Sequence, residues 1–341
     1  MTGRKKAALR MGLSWTDRLE DVSTQEWDFV LSRSARASPF LSRHFLVPWA
    51  KTFAAGHSKR IYRWVRNGET GGFLFLCLCD SGVGWELLGG EQVSDSLDAI
   101  VVSGREEEFW TEFLLSARGD LLPLHPLSLP NLVEGSASIA CLPRVCSELG
   151  LSFGMEEMDR SPHIPLPSSF EEYLSLLGRK ERHELRRKIR RASVEVPGLS
   201  YRVTRTREEF ERDFPSFIAL HRQSHTGKAE FMDDRMVRFF REMAEGFLSS
   251  RRLRLSFLSR DGGDMASALH IAWDSALLLY NSGYDPVYRE ASPGLVLLAR
   301  CIEDAIRDGF REYDFLRGRE RYKYDLGGRD RVVYRATVRV S

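Results

Sequence analysis

The chain has 341 residues, 43% of them hydrophobic and 29% charged, which is the composition of a globular protein and excludes a disordered one. Its 50 basic and 48 acidic residues leave a formal charge of only +2, so the placement of the charges carries the information; no DNA partner is expected. The length suits two domains, and a chain of this size can bury about three-quarters of its unfolded surface without a disulfide or metal staple.

Five cysteines, an odd count without a regular framework, point to free thiols in a reducing compartment. Cys77 and Cys79 stand two apart in an apolar run and face the same side of a strand. With no CxxC pair or Cys/His cluster, no metal site is expected. The charged start, Met1 to Arg10, is not followed by an apolar segment. The longest apolar stretches, 71–79 and 276–280, are strand-sized and fall short of the roughly 20 residues of a membrane span. A cytoplasmic protein is expected.

In chain order, helical patterns over 24–36 and 42–55 precede strands at 61–65, 73–79 and 85–88, with a meander continuing through 97–102. A helix follows at 106–117. From there to about 167 the chain is rich in Pro, Ser and Gly, with short patterns at 138–149 and 152–157. Pro162, Pro165 and Pro167 mark a connector, so domains of 1–160 and 161–341 are expected. Ser168 or Ser169 then caps one long helix over 170–194, with Glu171 and Glu172 in its first turn.

The second half continues with a strand at 200–204 and helices at 207–223 and 233–249. Strands follow at 253–259, 265–273 and 276–282, then a loop, a helix at 293–308, and strands at 312–315 and 332–340. Both halves share a coarse order of helices, antiparallel meander, helix and return, which is the pattern of an α+β fold.

Three segments carry chemistry. In GYDPVYREASPGLVLLARCIEDAIRDGF a strand passes through a loop into a helix. Ser292 is a good N-cap, Pro293 a good first helical residue, and Gly294 lets a ligand approach the backbone. Such a helix start suits a pyrophosphate, with Arg289 as a charged partner, although the same residues also read as an ordinary capped helix. In YDFLRGRERYKYDLGG, Asp314 ends a strand, while Tyr322 and Lys323 offer a phenol and an ammonium for polarising a carbonyl or holding an anion. The third segment, GRKERHELRRKIRRA, is dense in Lys and Arg; Leu174, Leu177, Leu185 and Ile189 trace its apolar side. Its basic residues, Arg186, Arg187, Arg190 and Arg191 among them, read either as a phosphate-binding face or as a solvated one.

The histidines say less. His221 and His225 stand four apart, on one face if the helix persists, without a legible third metal ligand. His270 lies in the meander, either buried and hydrogen-bonded or a base lining an acceptor cleft.

The succession LRRKIRRA, SALHIAWDSALLLYNSGYDP, SPGLVLLARCIEDAIRDGF and YDFLRGRERYKYDLGG resembles the GNAT-superfamily acyltransferases known as cellulose-biosynthesis acetyltransferases, which are related to the Fem-type aminoacyl-tRNA-dependent transferases. SPFLSRHFLVPWAKTF, LLGGEQVSDSLDAIV and the helix with Phe109 and Trp110 fit the same family. The match spans about residues 20–330 and is most specific at 283–294 and 314–323. The resemblance implies two tandem GNAT-like domains, each a mixed, mostly antiparallel sheet flanked by helices. It implies a slot for the donor's pantetheine and pyrophosphate at Arg289, Ser292, Pro293 and Gly294. It matches family positions at Asp314, Gly318, Tyr322 and Lys323. Where the usual acetyl-CoA loop reads Q/R-x-x-G-x-G/A, this chain reads REASPG, leaving acyl-CoA, acyl carrier protein and aminoacyl-tRNA open as donors.

The expected activity is transfer of an acyl group, from acyl-CoA with acetyl-CoA foremost, to an amine or hydroxyl of a sugar, polysaccharide precursor or peptide. Asp314 or His270 is the expected base, and Tyr322 or Lys323 stabilises charge or protonates the leaving group. The alternatives are a Fem-type transferase, with tRNA as partner, and a non-catalytic accessory protein of exopolysaccharide synthesis.

Overall fold

The computed structural model describes residues 12–78 and 84–340, so Met1 to Arg10 and Cys79 lie outside the described residues. The chain forms two compact units, one running to Met158 and taking back the strand from Val332, the other Asp159–Arg331.

The first unit contains β1 (Gly12–Thr16), α1 (Thr24–Leu31), α2 (Arg43–Phe53), β2 (Ser58–Arg66), β3 (Glu69–Leu78), β4 (Trp85–Leu87), β5 (Ile100–Val101), α3 (Glu106–Asp120), β6 (Leu127–Val133), α4 (Ala137–Glu148) and β7 (Leu151–Arg160). Its sheet runs β1-β2-β3-β4-β6-β14-β7, where β14 is the last strand of the chain, Val332–Val340, and β5 pairs with β3. The expected C-terminal domain of 161–341 therefore gives up its last strand to the first sheet. Tertiary pairing of this kind, at great sequence distance, leaves no local pattern.

The buried strand β6 also lies where the sequence suggests irregular structure. Its alternation is broken by Pro130 and Asn131, the latter at φ 59. Both residues sit at a register shift against β14, between the pairs Tyr334–Leu132 and Ala336–Leu129. A bulge is where a strand tolerates a residue without an N–H donor.

The second unit begins with β8 (His163–Pro165), α5 (Phe170–Leu176) and α6 (Arg179–Glu195). The expected long helix breaks here: Leu177 is extended, at ψ 149, and Gly178 caps the next helix. Gly favours such a break because it gives up most entropy in a helix. At the start of α5 the Ser169 hydroxyl accepts the Glu172 N–H at 3.1 Å. Then come β9 (Leu199–Thr204), α7 (Arg207–Ser224), α8 (Thr226–Phe231), α9 (Asp234–Ser249), β10 (Leu253–Arg260), β11 (Gly263–Trp273), β12 (Ala276–Tyr284), α10 (Pro293–Arg307), β13 (Glu312–Asp314) and α11 (Arg321–Asp325). The sheet order is β8-β13-β12-β11-β10-β9.

Helix α10 buries Val296, Leu297, Leu298, Ala299, Cys301, Ile302 and Ala305, an apolar stripe at helical spacing. With Leu185 and Ala192 of α6 it packs on Ala266, Ala268, Leu277 and Leu279, one face of the sheet. Helices α7 and α9 cover the other face. Phe240 of α9 stacks on Tyr280 of β12 with ring centroids 5.2 Å apart. Gly283 of β12 lies against the backbone of α7, where a Cβ would collide with Leu220 and His221.

Replacing Gly283 with Ala should therefore force α7 off the sheet. Overpacking of this kind costs about 1–3 kcal/mol. Urea denaturation of the variant should show a lower midpoint, and an unchanged midpoint would contradict this contact.

Candidate functional site

Strands β12 and β13 pair in parallel over three rungs, Ala276–Glu312, Leu277–Tyr313 and Leu278–Asp314. Beyond Leu278, β12 runs on to Tyr284 while β13 has ended. The Asp285 N–H donates to Met265 O of β11 at 2.9 Å. Strand alternation then turns the N–H and C=O groups of Ser282 and Tyr284 to the opposite edge, the one β13 has left. This open edge lies beside the start of α10.

A cavity of about 320 Å³ occupies the opening. Its walls are Ser282, Gly283 and Tyr284 of β12, the turn from Ser292 to Leu295, Arg289, Ser267 of β11, Lys188 of α6, Lys228 of α8, and Tyr322 and Asp325 of α11. The first bond inside α10 runs from the Val296 N–H to Ser292 O at 3.1 Å, so the amides of Gly294 and Leu295 precede the helical ladder. Ser292 does not cap through its side chain, contrary to expectation. It adopts a left-handed backbone, φ 50 and ψ 48, that turns the chain into the helix. A non-glycine residue held there stores strain of the kind found at ligand sites.

The cavity thus brings together Arg289, Ser292, Pro293, Gly294 and Tyr322. Burial raises the Tyr322 phenol above its usual pKa, so it stays protonated at neutral pH. Lys323, Asp314 and His270 are not in the cavity wall. The Lys323 ammonium is 2% exposed and donates to the carbonyls of Leu316, Arg317 and Gly318 at 3.0, 2.7 and 3.2 Å, with Glu320 at 3.0 Å. That consumes the donors expected to meet an anion at Gly294. Asp314 accepts the Leu316 N–H at 2.7 Å and lies 3.4 Å from both Ser161 and Arg331. Burial pushes its carboxyl up to about 6. His270 is fully buried, with Nε2 2.7 Å from the Tyr313 hydroxyl, and burial lowers its pKa to about 3.

Helix α7 ends at Ser224, and the His225 ring caps the next turn by accepting the Gly227 N–H at 3.1 Å, so His221 and His225 do not share a helix face. Among the described residues no group of three metal-ligating side chains occurs. Within α6, Arg186 pairs with Glu171 at 2.6 Å and Arg187 with Glu184 at 2.7 Å, and Lys188 is the residue that reaches the cavity. Lys228 and Ser267 complete the wall and carry no sequence signal, the first in an unpatterned turn and the second in an apolar strand. A second cavity, about 910 Å³, lies among α5, β9 and the far end of α10. Its Arg202, Arg300 and Arg307 are already paired with Asp264, Glu303 and Asp304, and α10 presents its C-terminal end there, so it offers an anion little.

An open strand edge beside a helix start is the geometry on which comparison with known proteins bears. Residues 179–324 match the acetyltransferase (GNAT) domain. This second unit carries a GNAT domain. No curated protein sequence matches the chain. Among solved structures, FemX aligns over 95% of this chain and 96% of its own, at 14% identity and TM-score 0.64. The tandem GNAT protein from the clavulanic acid biosynthesis pathway aligns over 96% and 98%, at 15% identity and TM-score 0.51. The C-terminal domain of a putative lysylphosphatidylglycerol synthetase from Agrobacterium fabrum covers 92% and 91%, at 11% identity and TM-score 0.59. These likenesses establish a tandem GNAT-like α+β fold over the described residues. Among the described residues no helix is long and apolar enough to cross a membrane.

Two consequences can be measured. His221 and His270 are held neutral by burial, their pKa values lowered to about 4 and about 3. The unfolded chain takes up those protons once pH falls below about 6.5, so stability falls with pH from there until the folded values are reached. Each imidazole contributes a slope of roughly 1.4 kcal/mol per pH unit, and replacing His270 with Gln should remove one such contribution between about pH 6.5 and 4.5. An unchanged slope in urea titrations would refute it.

Replacing Lys323 with Met leaves three loop carbonyls without their donor, at a cost of about 1–3 kcal/mol. Trypsin should then cut faster after Arg317. Cleavage at the unmodified rate would remove Lys323 from this role.

Proposed function

We propose that the GNAT domain transfers an acyl group from acyl-CoA, acetyl-CoA in the simplest case, to an amine or hydroxyl of a sugar, polysaccharide precursor or peptide. The observation that carries this reading is the unpaired edge of β12 beside the amides of Gly294 and Leu295. The edge suits the amides of a pantetheine arm, and the helix start, with Arg289 and Lys188, suits a pyrophosphate. The main-chain N–H of Tyr284 on that edge would hold the oxygen of the thioester carbonyl as charge develops on it. The protonated Tyr322 phenol in the same wall would donate a hydrogen bond to the leaving sulfur, and the proton lost by the attacking amine or hydroxyl would neutralise the thiolate.

A Fem-type transfer from aminoacyl-tRNA is the second reading. The whole-chain likeness to FemX and the position of α6, which packs on α10 and lends Lys188 to the cavity, favour it. An accessory protein of exopolysaccharide synthesis would bind neither donor.

The readings separate on thermal stability. Saturating acetyl-CoA should stabilise the fold, by about 2.7 kcal/mol at a hundredfold excess over Kd. An added Cβ at Gly294 would meet only the Tyr284 ring, at 3.8 Å, so Gly294→Val should leave the unliganded melting temperature unchanged. It should weaken acetyl-CoA binding by roughly tenfold or more, about 1.4 kcal/mol, because the side chain takes phosphate space. Stabilisation by charged tRNA, lost as salt rises, would instead favour the second reading.

A further inference from the structure

The cavity has an inner end that the donor does not account for. It rounds the open edge of β12 and reaches both faces of the sheet. Lys188 belongs to α6, on the α10 face, whereas Lys228 follows α7, whose backbone lies against Gly283 on the opposite face. At this inner end the Lys228 ammonium donates to Ser282 O at 2.6 Å, using one of its three hydrogens. Burial lowers the Lys228 pKa; Glu320 favours its charge, but that carboxylate is held by Lys323 at 3.0 Å.

Ser267 lines the same cavity. Its hydroxyl is buried, the residue 1% exposed, and has no hydrogen-bond partner among the described residues. It lines the cavity from β11, where its register partner is Gly283. A buried hydroxyl without a partner calls for an explanation, and a ligand is one. The imidazole of His221 is the other titratable group on this side, and burial together with the Lys228 charge keeps it neutral.

Resting on the acyl-transfer reading, we propose that Lys228 and Ser267 form a carboxylate subsite on the acceptor side of the cavity. One ammonium and one hydroxyl donor match the two oxygens of a carboxylate, whereas a phosphate dianion would leave acceptors unsatisfied. The carboxylate belongs either to the acceptor, as in an amino acid or a peptide terminus, or to the transferred acyl group.

The test uses the full chain with lysine ε-carbon labelling, the Lys228 resonance being identified by its loss in Lys228→Met. Titration with succinate should move that resonance saturably, and neutral succinamide should not. Alanine bound more tightly than alaninamide assigns the carboxylate to the acceptor; succinyl-CoA bound more tightly than acetyl-CoA assigns it to the donor. The operative preference should be about tenfold and should fall to about twofold or less in Lys228→Met and in Ser267→Ala, which removes a single oxygen and spares the fold. A resonance that ignores succinate, or preferences that survive both substitutions, would overturn the subsite. Acetyl-CoA is the separate control: its failure to bind would count against the donor reading alone, while the succinate titration would still decide the subsite.

Discussion

Everything at the site depends on β13 parting from β12 after three rungs. The parting is enforced from the β13 side. Its other edge is bonded to β8, with Ile164 opposite Tyr313 and His163 opposite Asp314. Immediately beyond, Asp314 accepts the Leu316 N–H, and Leu316 takes a left-handed conformation, φ 58, that turns the chain away. The Lys323 ammonium then gathers the carbonyls of residues 316–318 around itself. A left-handed leucine is costly, and it persists because its surroundings over-determine it. The residues that sequence reasoning cast as chemical groups thus hold the turn that keeps the edge of β12 open.

An open edge is a liability unless something occupies it, since unpaired N–H and C=O groups recruit other strands. Here it is flanked on one side by the start of α10 and on the other by α7, which the bare backbone of Gly283 admits to close contact. Lys228 takes the Ser282 carbonyl and the Asn281 side chain takes the Ser282 N–H, which leaves the main-chain groups of Tyr284 facing the cavity. Packing on both faces therefore narrows the edge to a slot.

Much of this unit was legible in the sequence for physical reasons. The strands β10 to β12 are alternating apolar runs separated by tight turns, and α10 opens on Ser-Pro-Gly and continues as an apolar stripe. The α5–α6 break was hidden because Leu174, Leu177, Leu185 and Ile189 keep helical spacing across it. In the basic run, spacing marks which residues are apolar but not which cation faces a cavity. Arg187 and Lys188 both reach Glu184, at 2.7 and 3.7 Å, and only tertiary packing shows that Lys188 also lines the cavity. Strand β6 was hidden by a proline at a bulge, whereas β14 was legible as a strand and only its partner, some two hundred residues away, was not.

The first unit shows why the cavity belongs to the second. It too contains a parallel strand pair, β4 and β6, joined at Trp85–Leu127 and Glu86–Ser128. Beyond those rungs the edge of β6 is taken by the chain itself. The Asn131 side chain donates to the carbonyls of Glu91 and Ser94 at 3.0 and 2.7 Å, and the Leu97 N–H donates to Asn131 O at 3.0 Å. Gly89 and Gly90 let that segment lie against Leu46 and Trp49, where side chains would collide. One architecture therefore appears twice with opposite outcomes. Where the segment after the strand folds back it satisfies the edge internally, and where the eight residues Asp285–Ser292 lead straight into a helix the edge is left open.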